Sequence, residues 1–286
     1  MPGITEKYEM KLEFMKMHGT GNDFVFLDDR DGRIKQYISY SELARRLCPR
    51  HFGIGADGII LILDPDDSDH DMKFRIYNSD GSQAQMCGNG MRCFAKIVYE
   101  KNILAKRKIR VDTKAGTVIP EVMPDADKKV EKVRVDMGEP EFSCADMPFD
   151  YPLQACGIDY HVNAVSMGNP HAVIFVDDIE KIDLEKVGPA IENHEKFPEK
   201  TNVEFVEVIT GSELRMRVWE RGAGITLACG TGACASLAAA AATGRAGRHA
   251  VVHLDGGDLE IAWDEKTNHI FKTGPARFVF QGTIFI

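Results

Sequence analysis

Hydrophobic and polar positions alternate along most of the chain in short runs, which predicts a protein built mainly of β-strands. Runs rich in Val, Ile and Phe are separated by Gly, Pro, Asp and Asn, the residues that favour turns. Helical spacing or composition is confined to residues 40–47, 91–100, 184–193 and 233–243. The pattern therefore predicts an α/β (α+β) fold in which strands outnumber helices.

The two halves of the chain repeat each other at a constant spacing. RIYN at 75–78 and MCGNG at 86–90 align with RVWE at 217–220 and ACGTG at 228–232, each 142 residues later. A fainter match relates GNDFVF at 21–26 to GNPHAV at 168–173. Because each block is predicted as strand, glycine-containing loop, Cys-Gly-x-Gly and helix, the repeat indicates two pseudo-symmetric lobes.

This repeat predicts the domain organisation and the place of the chemistry. We expect an N-terminal lobe of residues 1–129, completed by a C-terminal strand at 275–286, and a C-terminal lobe of residues 130–274. Cys87 and Cys229 occupy equivalent positions, so we expect them to reach one active site between the lobes. Two acid–base groups on opposite faces of a carbon invert it: one removes the α-proton and the other delivers a proton.

The sequence around each of these cysteines suits thiolate chemistry. A free thiol has a pKa of ~8.5, and the N-terminus of a helix lowers it. The glycines allow backbone N–H groups to turn inward and form a cradle for a substrate carboxylate. Such a cradle stabilises negative charge as the α-carbon loses its proton. We find no clear site for pyridoxal phosphate and expect no cofactor.

Composition and charge exclude several other classes of protein. The chain has 35 Lys and Arg against 44 Asp and Glu, a net charge of −9, which argues against nucleic-acid binding. No apolar run reaches the ~18–20 residues needed to span a bilayer, and the N-terminus lacks a signal peptide's apolar core. We therefore expect no membrane association and a cytoplasmic location. Seven cysteines, an odd number, indicate free thiols rather than a disulfide framework.

Seven motifs along the chain resemble those of the diaminopimelate epimerase family. In order they are MHGTGNDF (17–24), GIGADG (53–58), NSDGS (78–82), MCGNG (86–90), MGNPH (167–171), WERG (219–222) and ACGTG (228–232). The resemblance implies interconversion of LL- and meso-diaminopimelate for lysine biosynthesis, without metal or pyridoxal phosphate. It also implies two similar lobes, each a mainly antiparallel curled sheet around a central helix, in a homodimer.

The resemblance also assigns roles to individual residues. Cys87 and Cys229 match the catalytic thiols, and His171 and Glu220 match groups that tune their pKa. The matches to substrate-binding residues are Asn22, Asn78, Gly88, Asn89, Asn169, Asn202, Glu220, Arg221, Gly230 and Thr231. The chain departs from some members at Gly58, where they carry a substrate-binding Gln, and at Phe280, where they carry a Tyr that assists dimerisation. Residues 1–12 are expected to form a loosely held leader.

Two other functions fit parts of the pattern. A proline or hydroxyproline racemase uses the same two-cysteine logic, but those sites enclose a small ring and commonly carry His at the position of Asn89. The second alternative is a redox-sensing or metal-binding protein that uses the paired thiols for redox chemistry or as metal ligands. The spacing of Cys87 to Cys93 and of Cys229 to Cys234 differs from that of common zinc sites, and Cys93 and Cys234 fall within predicted helices, so we expect no metal.

Overall fold

The computed structural model describes residues 10–142 and 147–286 and divides the chain into two compact units. Unit 1 consists of Met1–Glu131 and Ala276–Ile286, and unit 2 consists of Lys132–Pro275. The polypeptide thus passes from unit 1 into unit 2 once and returns for its last strand.

The described residues of unit 1 form an eight-stranded mixed sheet, three helices and one strand, β8, that is not part of this sheet. The strands are β1 (Lys11–Gly19), β2 (Asn22–Asp28), β3 (Gly58–Leu63), β4 (Met72–Asn78), β5 (Gln83–Ala84), β6 (Val111–Thr113), β7 (Gly116–Val118), β8 (Glu121–Pro124) and β19 (Arg277–Phe285). The helices are α1 (Arg33–Tyr37), α2 (Tyr40–Leu47) and α3 (Gly88–Glu100). The strand order is β19-β1-β2-β3-β4-β6-β7, with β5 paired to β4.

Unit 2 contains a second mixed sheet and two α-helices. The strands are β9 (Val130–Asp136), which begins at the end of unit 1, β10 (Tyr151–Ala155), β11 (Ile158–Ser166), β12 (Pro170–Phe175), β13 (Asn202–Thr210), β14 (Glu213–Glu220), β15 (Gly224–Thr226), β16 (His249–Leu254), β17 (Gly257–Trp263) and β18 (Ile270–Pro275). The helices are α4 (Leu184–Glu192) and α5 (Gly230–Ala242), with a 3₁₀ turn at Ile179–Lys181. These ten strands follow the order β10-β11-β12-β13-β14-β16-β17-β18-β9, with β15 paired to β14.

The two units share one topology, which confirms the predicted fold class. In unit 1, β2 runs parallel to β3 and β4 runs parallel to β6; in unit 2 the same holds for β12 with β13 and β14 with β16. The other registered pairs in both sheets are antiparallel. Helices α3 and α5 follow equivalent strands and pack against the strands of their own units. Internal duplication is therefore visible in connectivity as well as in sequence.

Helix α5 is buried on all sides, and its sequence explains why. Every residue from Gly232 to Ala240 is buried, and most of them are alanine. A helix without a polar face is stable only inside a core, and small side chains let the surrounding strands approach closely. The helix ends where Gly244 adopts a φ of 72° and the N–H of Arg245 donates to the carbonyl of Ala240, as a left-handed cap requires.

The predicted helix starts at 91 and 233 are wrong by three residues. Helix α3 begins at Gly88 and α5 at Gly230, so both Gly-x-Gly sequences form the first helical turn. Glycine has low helix propensity, and the hydrophobic pattern begins only after it. The cysteine before each helix is its N-cap residue, and helix propensities do not predict a cysteine in that role.

The expectation of a loosely held leader over residues 1–12 is wrong for residues 10–12. Leu12 lies in β1, is buried, and pairs with Ile284 of β19. Met10 also exchanges backbone hydrogen bonds with Ile286. Residues 1–9 lie outside the described part of the chain. Within that part, the longest helices have 13 residues, and none is long and apolar enough to cross a membrane.

Candidate functional site

Each of the two predicted catalytic thiols caps the N-terminus of a buried helix. The sulfur of Cys87 accepts a hydrogen bond from the Gly90 N–H at 3.5 Å, and the sulfur of Cys229 accepts one from the Gly232 N–H at 3.3 Å. Both cysteines have extended backbone conformations, as N-cap residues do. Each sulfur is therefore held at the positive end of a helix dipole.

An asparagine amide contacts the Cys87 thiol in unit 1. The Cys87 thiol donates to Asn22 Oδ1 at 3.4 Å, and Asn89 Nδ2 donates to the same oxygen at 3.4 Å. Asn22 reaches this position because Thr20 and Gly21 make a tight turn between β1 and β2, with φ angles of 52° and 85°. Three predicted site residues are thus brought together in unit 1.

Asp57 fixes the orientation of the Asn22 amide. Asp57 Oδ2 accepts hydrogen bonds from Asn22 Nδ2 at 2.7 Å and from the Asp23 N–H at 3.0 Å. Its other oxygen accepts from Arg50 at 2.8 Å. Because an ionised carboxylate only accepts, it holds the amide nitrogen of Asn22 and leaves the carbonyl facing Cys87. Sequence reasoning missed Asp57, although it lies inside the GIGADG motif.

Buried cations hold the other groups of the unit 1 site. Arg92 is fully buried and donates to Asn89 Oδ1 at 2.9 Å, which turns the Asn89 amide nitrogen towards Asn22. Lys16, also buried, lies 2.5 Å from Asp23. Burial opposes the charge of Asp23, but hydrogen bonds from Arg50 and Lys16 prevail and lower the pKa of its carboxyl group.

In unit 2 the Cys229 thiol contacts a threonine held by the equivalent asparagine. The Thr231 hydroxyl lies 3.5 Å from the Cys229 sulfur and accepts from Asn169 Nδ2 at 3.4 Å. Asn169 Oδ1 lies 3.1 Å from His171 Nε2. Four predicted site residues therefore form one chain of contacts that ends at the sulfur.

A buried histidine–glutamate pair lies beneath the cap of α5. His171 Nδ1 lies 2.7 Å from Glu204 Oε1, and both side chains are fully buried. A Cβ atom on Gly232 would lie 2.5 Å from Glu204 Oε1, so only glycine fits there; beneath Gly90, apolar Ile60 and Phe24 fill the same place. Sequence reasoning missed Glu204. Its one signal in the sequence is a charged residue between Val203 and Phe205, within a hydrophobic run that is typical of a strand.

The environment of Cys229 favours the protonated thiol. Burial raises the pKa of Cys229 well above its usual value, and the carboxylates of Glu220 and Glu204 raise it further. Hydrogen bonds from Thr231 and Gly232 oppose this but do not reverse it. The expectation of a lowered pKa is therefore wrong for Cys229, because desolvation is larger than the opposing effect of the helix end.

Glu220 is itself perturbed by the same surroundings. Burial and the charge of Glu204 raise the pKa of Glu220, while a hydrogen bond from Thr226 partly offsets them. Because like charges repel, the neighbouring carboxylates disfavour negative charge on the Cys229 sulfur and on Glu220. Both Cys229 and Glu220 are therefore shifted towards their protonated forms.

The remaining predicted binding residues lie in different surroundings. Asn202 is buried; its amide donates to the Pro170 carbonyl at 2.9 Å and accepts from the Arg221 N–H at 2.9 Å. The Arg221 side chain is exposed and donates to the Glu199 carbonyl. Asn202 thus organises the backbone that presents Arg221.

The last four positions lie at strand and helix ends. Asn78 is exposed at the end of β4 and donates to Ser82 Oγ at 3.0 Å. Gly58 packs against the Tyr77 carbonyl, which a Cβ atom would approach to 2.5 Å. Gly88 and Gly230 are the first residues of α3 and α5, beside the free N–H groups of the helix ends.

The other cysteines have structural or surface positions. Cys93 and Cys234 are fully buried in α3 and α5, and burial raises the pKa of Cys93 to about 12. Cys48 is also buried, whereas Cys156 is exposed. Cys144 lies outside the described residues.

Comparison with known proteins identifies relatives over nearly the whole chain. The family model described as diaminopimelate epimerase matches residues 14–143 and 163–279. A diaminopimelate epimerase from Desulforapulum autotrophicum is 56% identical over 285 residues, which cover 97% of this chain and 100% of that protein.

Solved structures share the fold at much lower sequence identity. A PhzF-family phenazine biosynthesis protein from Bacillus anthracis matches with a TM-score of 0.70 and 15% identity, covering 97% of this chain and 100% of that one. A probable proline racemase from Agrobacterium radiobacter K84, with bound carbonate, matches with a TM-score of 0.67 and 17% identity, covering 96% and 93%. At this identity the likeness establishes the fold alone.

Proposed function

Because the chain belongs to the diaminopimelate epimerase family and is therefore an epimerase, we propose that it interconverts LL- and meso-diaminopimelate. The reaction would serve lysine biosynthesis in the cytoplasm and would need neither metal nor pyridoxal phosphate. The observation that carries this proposal is the pair of helix-capping thiols, one in each unit, at equivalent positions of the repeat.

The two thiols would work as a base and an acid on opposite faces of the α-carbon. In one direction Cys87, as thiolate, removes the α-proton, and Cys229, as thiol, delivers its proton to the other face. The raised pKa of Cys229 supports its role as the resting acid. The reverse reaction exchanges the roles. Each isomer therefore reacts with a different form of the enzyme, and the two forms differ in which cysteine is the thiolate.

The helix ends would bind the reacting carboxylate. The first N–H groups of α3, at Gly88 and Asn89, and of α5, at Gly230 and Thr231, have no partner within the helix. Directed at a carboxylate, they stabilise the negative charge that spreads into it when the α-proton leaves. Such stabilisation would replace part of what an electron-accepting cofactor supplies.

The distal amino-acid group would be held by polar side chains away from the thiols. Arg221 offers a guanidinium for a second carboxylate, and Asn202 fixes the backbone from which Arg221 extends. Asn78 would contribute an amide. This arrangement suits a long substrate with two charged ends.

A direct assay tests the proposed activity. Purified protein, with EDTA present and no pyridoxal phosphate added, is incubated with LL-diaminopimelate, and the isomers are separated by chiral chromatography. We expect conversion to an equilibrium mixture with the meso isomer. Absence of conversion, or conversion only after pyridoxal phosphate is added, would refute the proposal.

A proline or hydroxyproline racemase remains the alternative with the same chemistry. The fold similarity to a probable proline racemase is compatible with it. Incubation with L-proline and with trans-4-hydroxy-L-proline under identical conditions decides between the two. Racemisation of either at a rate comparable to that of diaminopimelate would favour the alternative.

Loss of the Asp57 carboxylate should slow the reaction although Asp57 is not itself a predicted substrate-binding residue, because it holds Asn22. In Asp57→Ala the Asn22 amide loses the partner that fixes its orientation. A charge-assisted hydrogen bond contributes ~1.5–3 kcal/mol, so kcat should fall roughly 10- to 100-fold. KM should change little, and Asp57→Asn, which keeps one acceptor oxygen, should recover part of the rate.

Asp67→Ala is the matched control for this prediction. Asp67 is an exposed carboxylate of unit 1 that bonds to His70. Its variant should keep wild-type kcat. An Asp57→Ala variant as active as Asp67→Ala would show that Asp57 does not position the site.

We also propose that the protein is a homodimer formed through β19. Among the described strands, β19 pairs only with β1, and Phe278 and Phe280 are 49% and 43% exposed along it. A strand edge with exposed aromatic side chains is a surface that a second copy can cover. Phe280 keeps an edge-to-face contact with Phe14, 5.9 Å between centroids, so its ring is already positioned.

Sedimentation velocity of a Phe278→Lys variant tests this surface. We expect the wild type to sediment as a dimer and the variant to shift towards monomer. Phe52→Lys is the control, because Phe52 is 94% exposed elsewhere in unit 1. A monomeric wild type, or equal dimerisation of both variants, would contradict the proposed surface.

A further inference from the structure

Three potential metal ligands meet beneath the helix cap of unit 2. One ligand atom each from His171, Glu204 and Cys229 lies within 4.8 Å of the other two, and all three residues are buried. In the described residues this is the only group of three such side chains at that spacing. This group differs from a site built on Cys87, Cys93, Cys229 and Cys234, because two of its three ligands, His171 and Glu204, are not cysteines.

An unpartnered oxygen in the same cluster indicates that its hydrogen bonding is incomplete. Glu204 Oε2 is buried and, among the described residues, has no hydrogen-bond partner. A buried carboxylate oxygen without a partner is costly, and a bound ion is one of the ordinary reasons for such an oxygen. The catalytic proposal gives this oxygen no role.

We propose that this cluster binds a thiophilic divalent cation of the Zn²⁺ class and that binding inhibits the enzyme. The donors are one thiolate sulfur, one imidazole nitrogen and one carboxylate oxygen, a set typical of zinc sites with one open position. Zinc–ligand distances are ~2.0–2.3 Å, so donors within 4.8 Å of one another need only small shifts to share an ion. The His171–Glu204 contact would open to admit it.

Charge balance favours a doubly charged ion at this place. Cys229 enters as a thiol and leaves its proton to solvent, so the cation faces one thiolate, one carboxylate and one neutral imidazole. The two negative charges of these ligands cancel the two positive charges of the ion, so the ion and its three ligands together carry no net charge. Binding must release a proton, because only the thiolate coordinates zinc.

Unit 1 supplies the internal control for this site. The place occupied by Glu204 beneath Gly232 is occupied by apolar Ile60 and Phe24 beneath Gly90. Cys87 caps its helix as Cys229 does, but belongs to no such ligand group in the described residues. The proposal therefore predicts that only one of the two equivalent cysteines binds the metal.

The inhibitory consequence rests on the proposed function, but the binding does not. With Cys229 coordinated, its sulfur can neither donate nor accept a proton, so turnover stops in both directions. Unlike an exposed thiol that captures metal weakly, the site has three ligands from one unit. Inhibition should follow occupancy and be reversed by EDTA.

Cobalt(II) is the probe for binding, since its thiolate charge-transfer absorption reports a Co–S bond without requiring activity. The metal-free protein, kept reduced with a phosphine, is titrated with Co²⁺ and then with Zn²⁺ as competitor. We expect the charge-transfer band in the wild type and in Cys87→Ser, and its loss in Cys229→Ser. Glu204→Gln should bind at least about tenfold more weakly, because it loses a charged ligand.

Two results would overturn the proposal. One is absence of the band in the wild type, together with no proton release on Zn²⁺ addition by calorimetry in two buffers. The other is a band that survives in Cys229→Ser and disappears in Cys87→Ser. Neither result bears on the epimerase assay, which is run with EDTA, so failure of this site is distinguishable from failure of the proposed function.

Discussion

Cys87→Ala and Cys229→Ala will each reduce kcat for diaminopimelate by more than 100-fold while leaving the protein folded. In the proposed mechanism each thiol serves one face of the α-carbon, and neither thiol can replace the other. Catalytic groups that act as a unit lose nearly the whole rate when one is removed. The measurement is kcat in both directions, with circular dichroism to verify the fold.

Cys93→Ala and Cys234→Ala are the controls for this result. Both residues lie in the same two helices, fully buried, behind the capping cysteines. Their loss should reduce stability through lost packing but leave kcat within a few-fold of wild type. A Cys87 or Cys229 variant that retains more than about a tenth of kcat, a barrier change under ~1.4 kcal/mol, would refute the two-thiol mechanism.

Lysine will be a very poor substrate, about 10⁴-fold or more below diaminopimelate in kcat/KM. It has the same chain length between its amino groups but lacks the distal carboxylate. A site that holds a substrate group with buried or charged partners rejects an analogue lacking that group by factors of this size. Competition assays with equal concentrations of both amino acids give the ratio directly.

Arg221→Met provides the corresponding variant. Without the guanidinium, diaminopimelate should lose much of its kcat/KM while lysine changes little, so the ratio between them narrows. The backbone N–H of residue 221 should still donate to Asn202 Oδ1, so the variant keeps the backbone position. Equal kcat/KM for lysine and diaminopimelate in the wild type would show that Arg221 does not select the distal carboxylate.

The repeat carried most of the fold prediction. Two sheets with one topology follow from two copies of one sequence pattern, because equivalent residues have equivalent environments. The hydrophobic pattern located α2 to the residue, but placed the starts of α3 and α5 three residues late. Those starts depend on a cysteine acting as an N-cap and on glycines in a first turn, which local propensity disfavours.

The sequence predicted less of the site at the positions where the two halves of the repeat differ. Asn22 and Asn169 are equivalent in sequence, yet one faces an aspartate and the other a histidine. The partner of Asn22 is Asp57, which is distant in the sequence, and the partner of Asn169 is His171, which lies in the strand that follows. Glu204 has an apolar counterpart in unit 1, so the repeat gave no indication of it.

Electrostatics produced the one wrong chemical expectation. A helix N-terminus lowers a thiol pKa, and both cysteines have that position. For Cys229, burial and two neighbouring carboxylates outweigh it. Neither the depth of burial nor the approach of Glu204 and Glu220 could be obtained from residue order, since both depend on how three strands and α5 pack.

Deuterium incorporation at early conversion tests the two-thiol account most directly. LL-diaminopimelate is incubated with the enzyme in deuterated water, and α-deuterium is measured by mass spectrometry in both isomers before about a tenth has reacted. Two thiols acting from opposite faces predict deuterium in the meso product and almost none in the remaining LL-substrate. Equal deuterium in recovered substrate and product, or a product that retains the original α-hydrogen, would contradict the account.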